Sequence, residues 1–205
     1  MYGMWTAHQR VYVKYIKRAI DVVISTIALP FMAIAILAFS PIIFLSDRGK
    51  VFFNADRIGK NGKLFKMYKL RSMKMNSPDI RNEDGSTYNG IIDPRVTRIG
   101  RFMRRNSIDE LPQVLNVLLG DMSFIGPRPD PPDDMEVYTD EQKNKLLIRP
   151  GITGCNQAYY RNSVIQNEKF EHDLYYTKHI SFMLDMRIIV KTVGTVMLRS
   201  NVYNE

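Results

Sequence analysis

Residues 22–45, VVISTIALPFMAIAILAFSPIIFL, run for 24 positions without a charged side chain, and how they meet a membrane decides the fold. As a straight helix the segment would rise about 36 Å at about 1.5 Å per residue, more than the ~30 Å of bilayer hydrocarbon, so length permits a full span. Two features argue against one. Pro30 and Pro41 each remove a rung from the helical hydrogen-bond ladder. Basic residues also crowd both flanks, with Arg10, Lys14, Lys17 and Arg18 before the segment and Arg48, Lys50, Arg57, Lys60 and Lys63 after it. If positive flanks stay on the cytoplasmic side, both ends prefer the same side. A broken helix that enters one leaflet and returns satisfies that preference, and a single-pass anchor is the alternative. A cleaved signal peptide fits poorly, because the apolar run exceeds the usual length of about 7–15 residues and lacks a small-residue cleavage site.

The remainder of the 205 residues can bury one core and hardly two. We expect an N-terminal arm and membrane helix over 1–46 and a compact domain over 47–205. The formal net charge of +8 favours anionic partners, which nucleic acid, lipid headgroups and phosphorylated substrates all satisfy. A single cysteine, Cys155, excludes an intramolecular disulfide, and His8, His172 and His179 lack the partner thiols of a zinc site.

Outside the membrane segment the pattern reads as α+β and mainly helical. KVFFNADRIG and KLFKMYKLRSM have strand character around Asn61-Gly62, the strongest two-residue hairpin signal. Residues 77–93 are polar and turn-rich, as a surface loop is. A short helix follows, with Val96, Ile99 and Phe102 or Met103 on one face and Arg98, Arg101 and Arg105 on another. Near the end, SFMLDMRIIVKTVGTVML carries an apolar face along Met183, Met186, Ile189, Val190 and Val193 that suits either a membrane surface or the core.

Between these elements lies RRNSIDELPQ, residues 104–113, with the adjacent carboxylates Asp109 and Glu110. Ser107 and Glu110 match a capping box, in which each side chain satisfies an orphan amide at a helix start. Pro112 conflicts with a helix beginning at Ser107, so the start can lie nearer the proline instead. In either register the pair sits near the positive end of the helix LPQVLNVLL, a place that favours carboxylates and bound anions. Downstream, GDMSFIGPRP and RPGITG set Arg128 and Arg149 in stiff Gly/Pro frames suited to presenting guanidinium forks to phosphate oxygens. Each alone reads better as a structural turn with a solvated arginine, and it is together with the acid pair that they say more.

Taken together, KRAID, FFNADRIGKNGKLFKMYKLRSM, RRNSIDELPQVLNVLLGDMSFIGPRP, RPGITG and SFMLDMRI resemble the bacterial monotopic phosphoglycosyl transferases, also called bacterial sugar transferases. The match runs in order from about Lys17 to near the C-terminus, the extent of the family's short form. The resemblance implies a cytosol-facing catalytic domain, a re-entrant rather than spanning membrane helix, and interfacial amphipathic helices at the cytoplasmic face of a bacterial inner membrane. It implies transfer of a sugar 1-phosphate from a UDP-sugar to undecaprenyl phosphate with release of UMP, the first membrane-committed step of surface-glycan assembly. Membrane lipids are then partners and nucleic acid is not.

Within that resemblance Asp109 matches the nucleophile that forms a covalent aspartyl phosphosugar, giving ping-pong kinetics. Glu110 matches its partner, tied to the Mg2+ cofactor. Arg104 or Arg105, Arg128 and Arg149 are expected at the phosphates, and Lys69 and Arg71 fall where the family has a basic cluster that is either catalytic or structural. The family's Ser-Pro break falls here in the register of Ile34. Ala55-Asp56 stands where relatives carry a glutamine ahead of the arginine matching Arg57. The segment GCNQAYYRNSVIQNEKF departs from the usual pattern and makes Arg161 a candidate sugar or nucleotide contact. A membrane-tethered basic binding module, or a scaffold with an inactive site, is the rival reading, and either predicts no UMP release.

Overall fold

A computed structural model of the chain describes residues 4–80, 88, 93–160 and 166–197. Helix α1 (Ala7–Asp47) passes through one π-helical turn at Tyr12–Ile16 and then continues as α-helix through Pro30, Ile34 and Pro41. Hydroxyl groups back-bond within the turns preceding both prolines, Thr26 to the Val22 carbonyl at 2.9 Å and Ser40 to the Ile36 carbonyl at 2.5 Å, a pattern that bends helices. Arg48 ends the helix in a left-handed conformation, φ 54°. Ile34, in the register of the family's Ser-Pro pair, lies within continuous α-helix.

Both ends of α1 dock on the same body. Toward its start, Lys17 reaches Asp185 at 2.5 Å, Arg18 donates to the Val117 and Leu118 carbonyls, and buried Asp21 accepts from Ser123 Oγ and Phe124 N–H at 3.1 Å each. Toward its end, Ile43 packs with Leu70 and Met103, with Ile36 and Phe39 alongside. Residues 17, 21, 25, 36, 39 and 43 recur at helical spacing and form one contact stripe. Between the ends, Ile27, Phe31, Ile34 and Leu37 remain more than half exposed.

Strands β1 (Phe52–Ile58) and β2 (Leu64–Leu70) form the expected antiparallel hairpin. Asn61 and Gly62 supply its two consecutive positive φ angles, 58° and 77°, which is why Asn-Gly signalled the turn. Helix α2 (Arg98–Arg105) is capped by Thr97, whose hydroxyl accepts from Gly100 N–H at 2.9 Å. A single tight turn, Ile108–Glu110, leads to helix α3 (Gln113–Leu119). Asn116 of α3 is fully buried and braces the outer edge of β2, accepting from Tyr68 N–H at 2.9 Å and donating to the Lys66 carbonyl at 2.7 Å, so the sheet edge is covered.

Short strands β3 (Ser123–Ile125) and β4 (Gly151–Thr153) pair in parallel and join the two Gly/Pro motifs. The backbones approach so closely that a Cβ on Gly151 would lie 2.1 Å from Gly126 N. Helices α4 (Asp134–Val137), α5 (Cys155–Tyr159), α6 (Gln166–His179) and α7 (Phe182–Met197) complete the mainly helical α+β fold. In α7 the buried residues are Asp185, Ile188 and Thr195, while Met183, Val190 and Val193 of the expected apolar face are exposed. Ile189 of that face packs against the core, so core packing accounts for part of the face and leaves Met183, Val190 and Val193 uncovered. The surface loop expected over 77–93 lies outside the described residues for all but 77–80, 88 and 93.

Candidate active site

The expected capping box does not form. Ser107 adopts a left-handed conformation, φ 56°, and its side chain caps nothing. The helix begins after Pro112, whose missing N–H costs no helical bond there. Asp109 is 5% exposed in the turn between α2 and α3. Glu110 is half-buried beside it, and its Oε1 accepts from Lys69 Nζ of β2 at 2.7 Å, with Arg128 Nη2 at 3.8 Å. Arg104, the last-turn arginine of α2, is set in place by an Nε bond to Ser72 Oγ at 2.9 Å and acts electrostatically on both acids.

These neighbours split the pair. Burial pushes the Asp109 carboxyl above its ordinary value; Lys69 and Arg104 oppose that rise and Glu110 adds to it. Burial acts on Glu110 in the same sense, but Lys69 and Arg128 outweigh it and hold that carboxyl at about 2. The result is one firmly ionised carboxylate and one desolvated carboxyl beside three cations. This arrangement suits a nucleophile that must approach an anionic phosphorus centre.

The other expected basic residues divide. Arg105, next to Arg104, is exposed. Arg71 is diverted: its five N–H donors go to Asp47, the Ile43, Lys50 and Met73 carbonyls, including a 2.6 Å bond from Nη2 to Asp47 Oδ1. With all five donors engaged, Arg71 is tied to the end of α1, the geometry of the structural alternative open to it. Arg149 points its Nε to the Gly120 carbonyl at 2.7 Å, where Arg18 also binds the last carbonyls of α3. That places it at the far end of α3 from Asp109, as a helix C-terminal cation. Arg161 lies outside the described residues. Asp56, at the missing glutamine, forms an exposed pair with Lys66 at 2.7 Å.

Sequence reasoning missed the groups that hold this site in place. Asn116, the second amide after Gln113 in an otherwise apolar helix, was a readable signal. Lys145 did not: it is 4% exposed and bridges Asp130 at 2.6 Å and Asp173 at 2.9 Å, fixing the segment just beyond Arg128. Among the described residues, no group of three or more His, Cys, Asp or Glu side chains forms a self-contained metal cage.

A family model described as bacterial sugar transferase matches residues 12–199. The chain is 37% identical over 206 residues to the undecaprenyl-phosphate galactose phosphotransferase of Salmonella typhimurium, covering 93% of this chain and 42% of that protein. It is 38% identical over 189 residues to the UDP-N-acetylgalactosamine-undecaprenyl-phosphate N-acetylgalactosaminephosphotransferase of Aeromonas hydrophila, covering 89% and 44%. Similarity to the exopolysaccharide production protein ExoY of Rhizobium meliloti is 36% over 198 residues, covering 91% and 88%. The chain thus spans less than half the length of the first two relatives and most of the third.

Proposed function

The chain belongs to the bacterial sugar transferase family, and on that premise we propose that it is a phosphoglycosyl transferase that moves a sugar 1-phosphate from a UDP-sugar to undecaprenyl phosphate. The observation that carries this reading is the split acid pair: a buried Asp109 next to a Glu110 held ionised by Lys69 and Arg128. An Asp109 carboxylate oxygen attacks the phosphorus bonded to the sugar, the bond from that phosphorus to UMP breaks, and an aspartyl phosphosugar forms. A phosphate oxygen of the acceptor lipid then attacks the same phosphorus, the bond to Asp109 breaks, and the carboxylate is regenerated.

Bringing a carboxylate to a diphosphate is opposed by roughly 4 kcal/mol per charge pair at ~4 Å and an effective dielectric near 20. Lys69, Arg104 and Arg128 offset that repulsion and stabilise charge as it shifts to the leaving UMP. Mg2+ binds through one or two carboxylates together with substrate phosphates rather than in an all-protein cage, and Glu110 fits that donor set. Bound there, the ion would supply further charge neutralisation on the diphosphate.

We also read α1 as re-entrant, with the body on the cytoplasmic face of the inner membrane. What supports this is that Lys17, Arg18 and Asp21 at one end and Ile43 and Asp47 at the other engage the same body, while the middle of the helix offers exposed apolar side chains. The exposed apolar face of α7 is suited to lie on the same surface. The functional test is UMP release from a panel of UDP-sugars with Mg2+ and undecaprenyl phosphate. Asp109→Asn is expected to reduce release by at least about a thousandfold. Undiminished release by that variant would refute the nucleophile assignment.

A further inference from the structure

The open end of the hairpin carries two exposed phenylalanines, Phe52 at 43% and Phe53 at 56%. Directly opposed residues of an antiparallel pair share a face, with Cβ atoms about 4.5–5.5 Å apart. The register Phe53↔Lys69 therefore sets Phe53 beside the lysine whose Nζ holds Glu110, and Phe52↔Leu70 sets Phe52 on the face where Leu70 packs against Ile43 of α1. Farther along Phe53's face, Met67 and Phe65 are covered by Val117 and Met122, but Phe53 itself is left uncovered. On α1, Phe44 and Leu45 follow Ile43 and are 49% and 75% exposed. Exposed apolar side chains thus lie at the C-terminal end of the membrane helix and on Phe52, while Phe53 presents another on the opposite face of the strand pair, beside the lysine that holds the acid pair.

We propose that Phe53, next to the acid pair, receives the isoprenoid chain of the acceptor lipid while its phosphate meets Asp109, with Phe52 and the end of α1 on the side toward the membrane. The inference rests on the transferase reading and deepens it. Of the two substrates, only the acceptor joins a phosphate to a long apolar tail, so it alone needs a path that links Asp109 to the hydrocarbon-facing helix without exposing apolar surface to water. The nucleoside diphosphate sugar is polar throughout and gains nothing from phenylalanines on the membrane side.

Ping-pong chemistry lets the two substrates be tested separately. The full chain in nanodiscs would be assayed first with donor alone, following the burst of UMP, and then with undecaprenyl phosphate over a range of concentrations. Phe53→Ala is expected to raise the KM for undecaprenyl phosphate about tenfold while the UMP burst keeps its rate, and Phe53→Leu, which retains an apolar contact, to restore most of the loss. An acceptor KM within about twofold of wild type, or a burst slowed as much as the overall transfer, would overturn the proposal, the latter showing a contact to the donor. If the wild-type chain releases no UMP from any UDP-sugar, the transferase reading itself fails, and this inference fails with it.

Discussion

Asp109 and Glu110 share a chemistry and a turn, yet their surroundings assign them different protonation behaviour. Lys69 favours the ionised form of both carboxyls; what separates them is that burial prevails at Asp109, while at Glu110 Lys69 and Arg128 together outweigh it. Glu110's folded value of about 2 lies below its unfolded value, so its contribution to stability is full above ~4.3 and is lost as pH falls toward about 2. Asp109 has the opposite sign, being raised by burial. Removing the cation in Lys69→Met lets both values rise, so the acid limb of the pH profile for UMP release is expected to move to higher pH, with a fall in kcat/KM of about a hundredfold. A profile with its acid limb unmoved would show that Lys69 does not set the ionisation of the pair. The acid pair and Arg128 were legible in the sequence, since a turn between two helices has few ways to bury adjacent carboxylates. Arg71 was not legible, because its partner Asp47 lies 24 positions away and only folding brings the two together.

At the level of elements, the Asp47–Arg71 fork and the Ile43–Leu70 contact fasten the end of α1 to the hairpin. Arg71 holds the Asp47 carboxyl at about 2, so this fastening is complete above ~3.9 and loosens as pH falls through about 2. Arg71→Ala is expected to lower the melting temperature while kcat/KM for the donor, per folded molecule, stays within about threefold. A raised donor KM without loss of stability would return Arg71 to the phosphate site. The topology of α1 has its own test. Ala7→Cys and Lys50→Cys, both at exposed positions flanking the apolar helix, are expected to react with a membrane-impermeant thiol reagent from the same side of sealed vesicles. Cys155 gives little background, because it is buried and burial pushes its thiol up to about 12. Labelling of the two sites from opposite sides would establish a span. The apolar run, the hairpin and α7 were all readable from periodicity and turn chemistry. The docking of both ends of α1 on one body was not, because it depends on partners distant in sequence.

Across the whole molecule, two buried polar networks tie together segments distant in sequence. Asp185 of α7 binds Tyr12, Lys17 and Tyr176, joining the start of α1 to the C-terminal helices. Lys145 joins Asp130, just past Arg128, to Asp173 of α6, and Asn156 extends the link by bonding Asp173 and His172. Cutting such a link leaves unpaired buried charge. Lys145→Met is therefore expected to cost about 3–5 kcal/mol and to lower the thermal midpoint by about 10 °C. A midpoint unchanged from wild type would show that Asp130 and Asp173 find other partners. None of these networks announces itself in the sequence, since each partner alone reads as a surface charge. The second network fixes the segment just beyond Arg128, and the first fastens the start of a helix suited to the membrane. On the proposed mechanism the Asp109 carboxylate takes the phosphosugar onto itself. Intact-mass and peptide mass spectrometry of protein quenched after exposure to its donor without acceptor should find the mass of one sugar phosphate on residue 109. Rapid UMP formation with that peptide persistently unmodified would contradict the account.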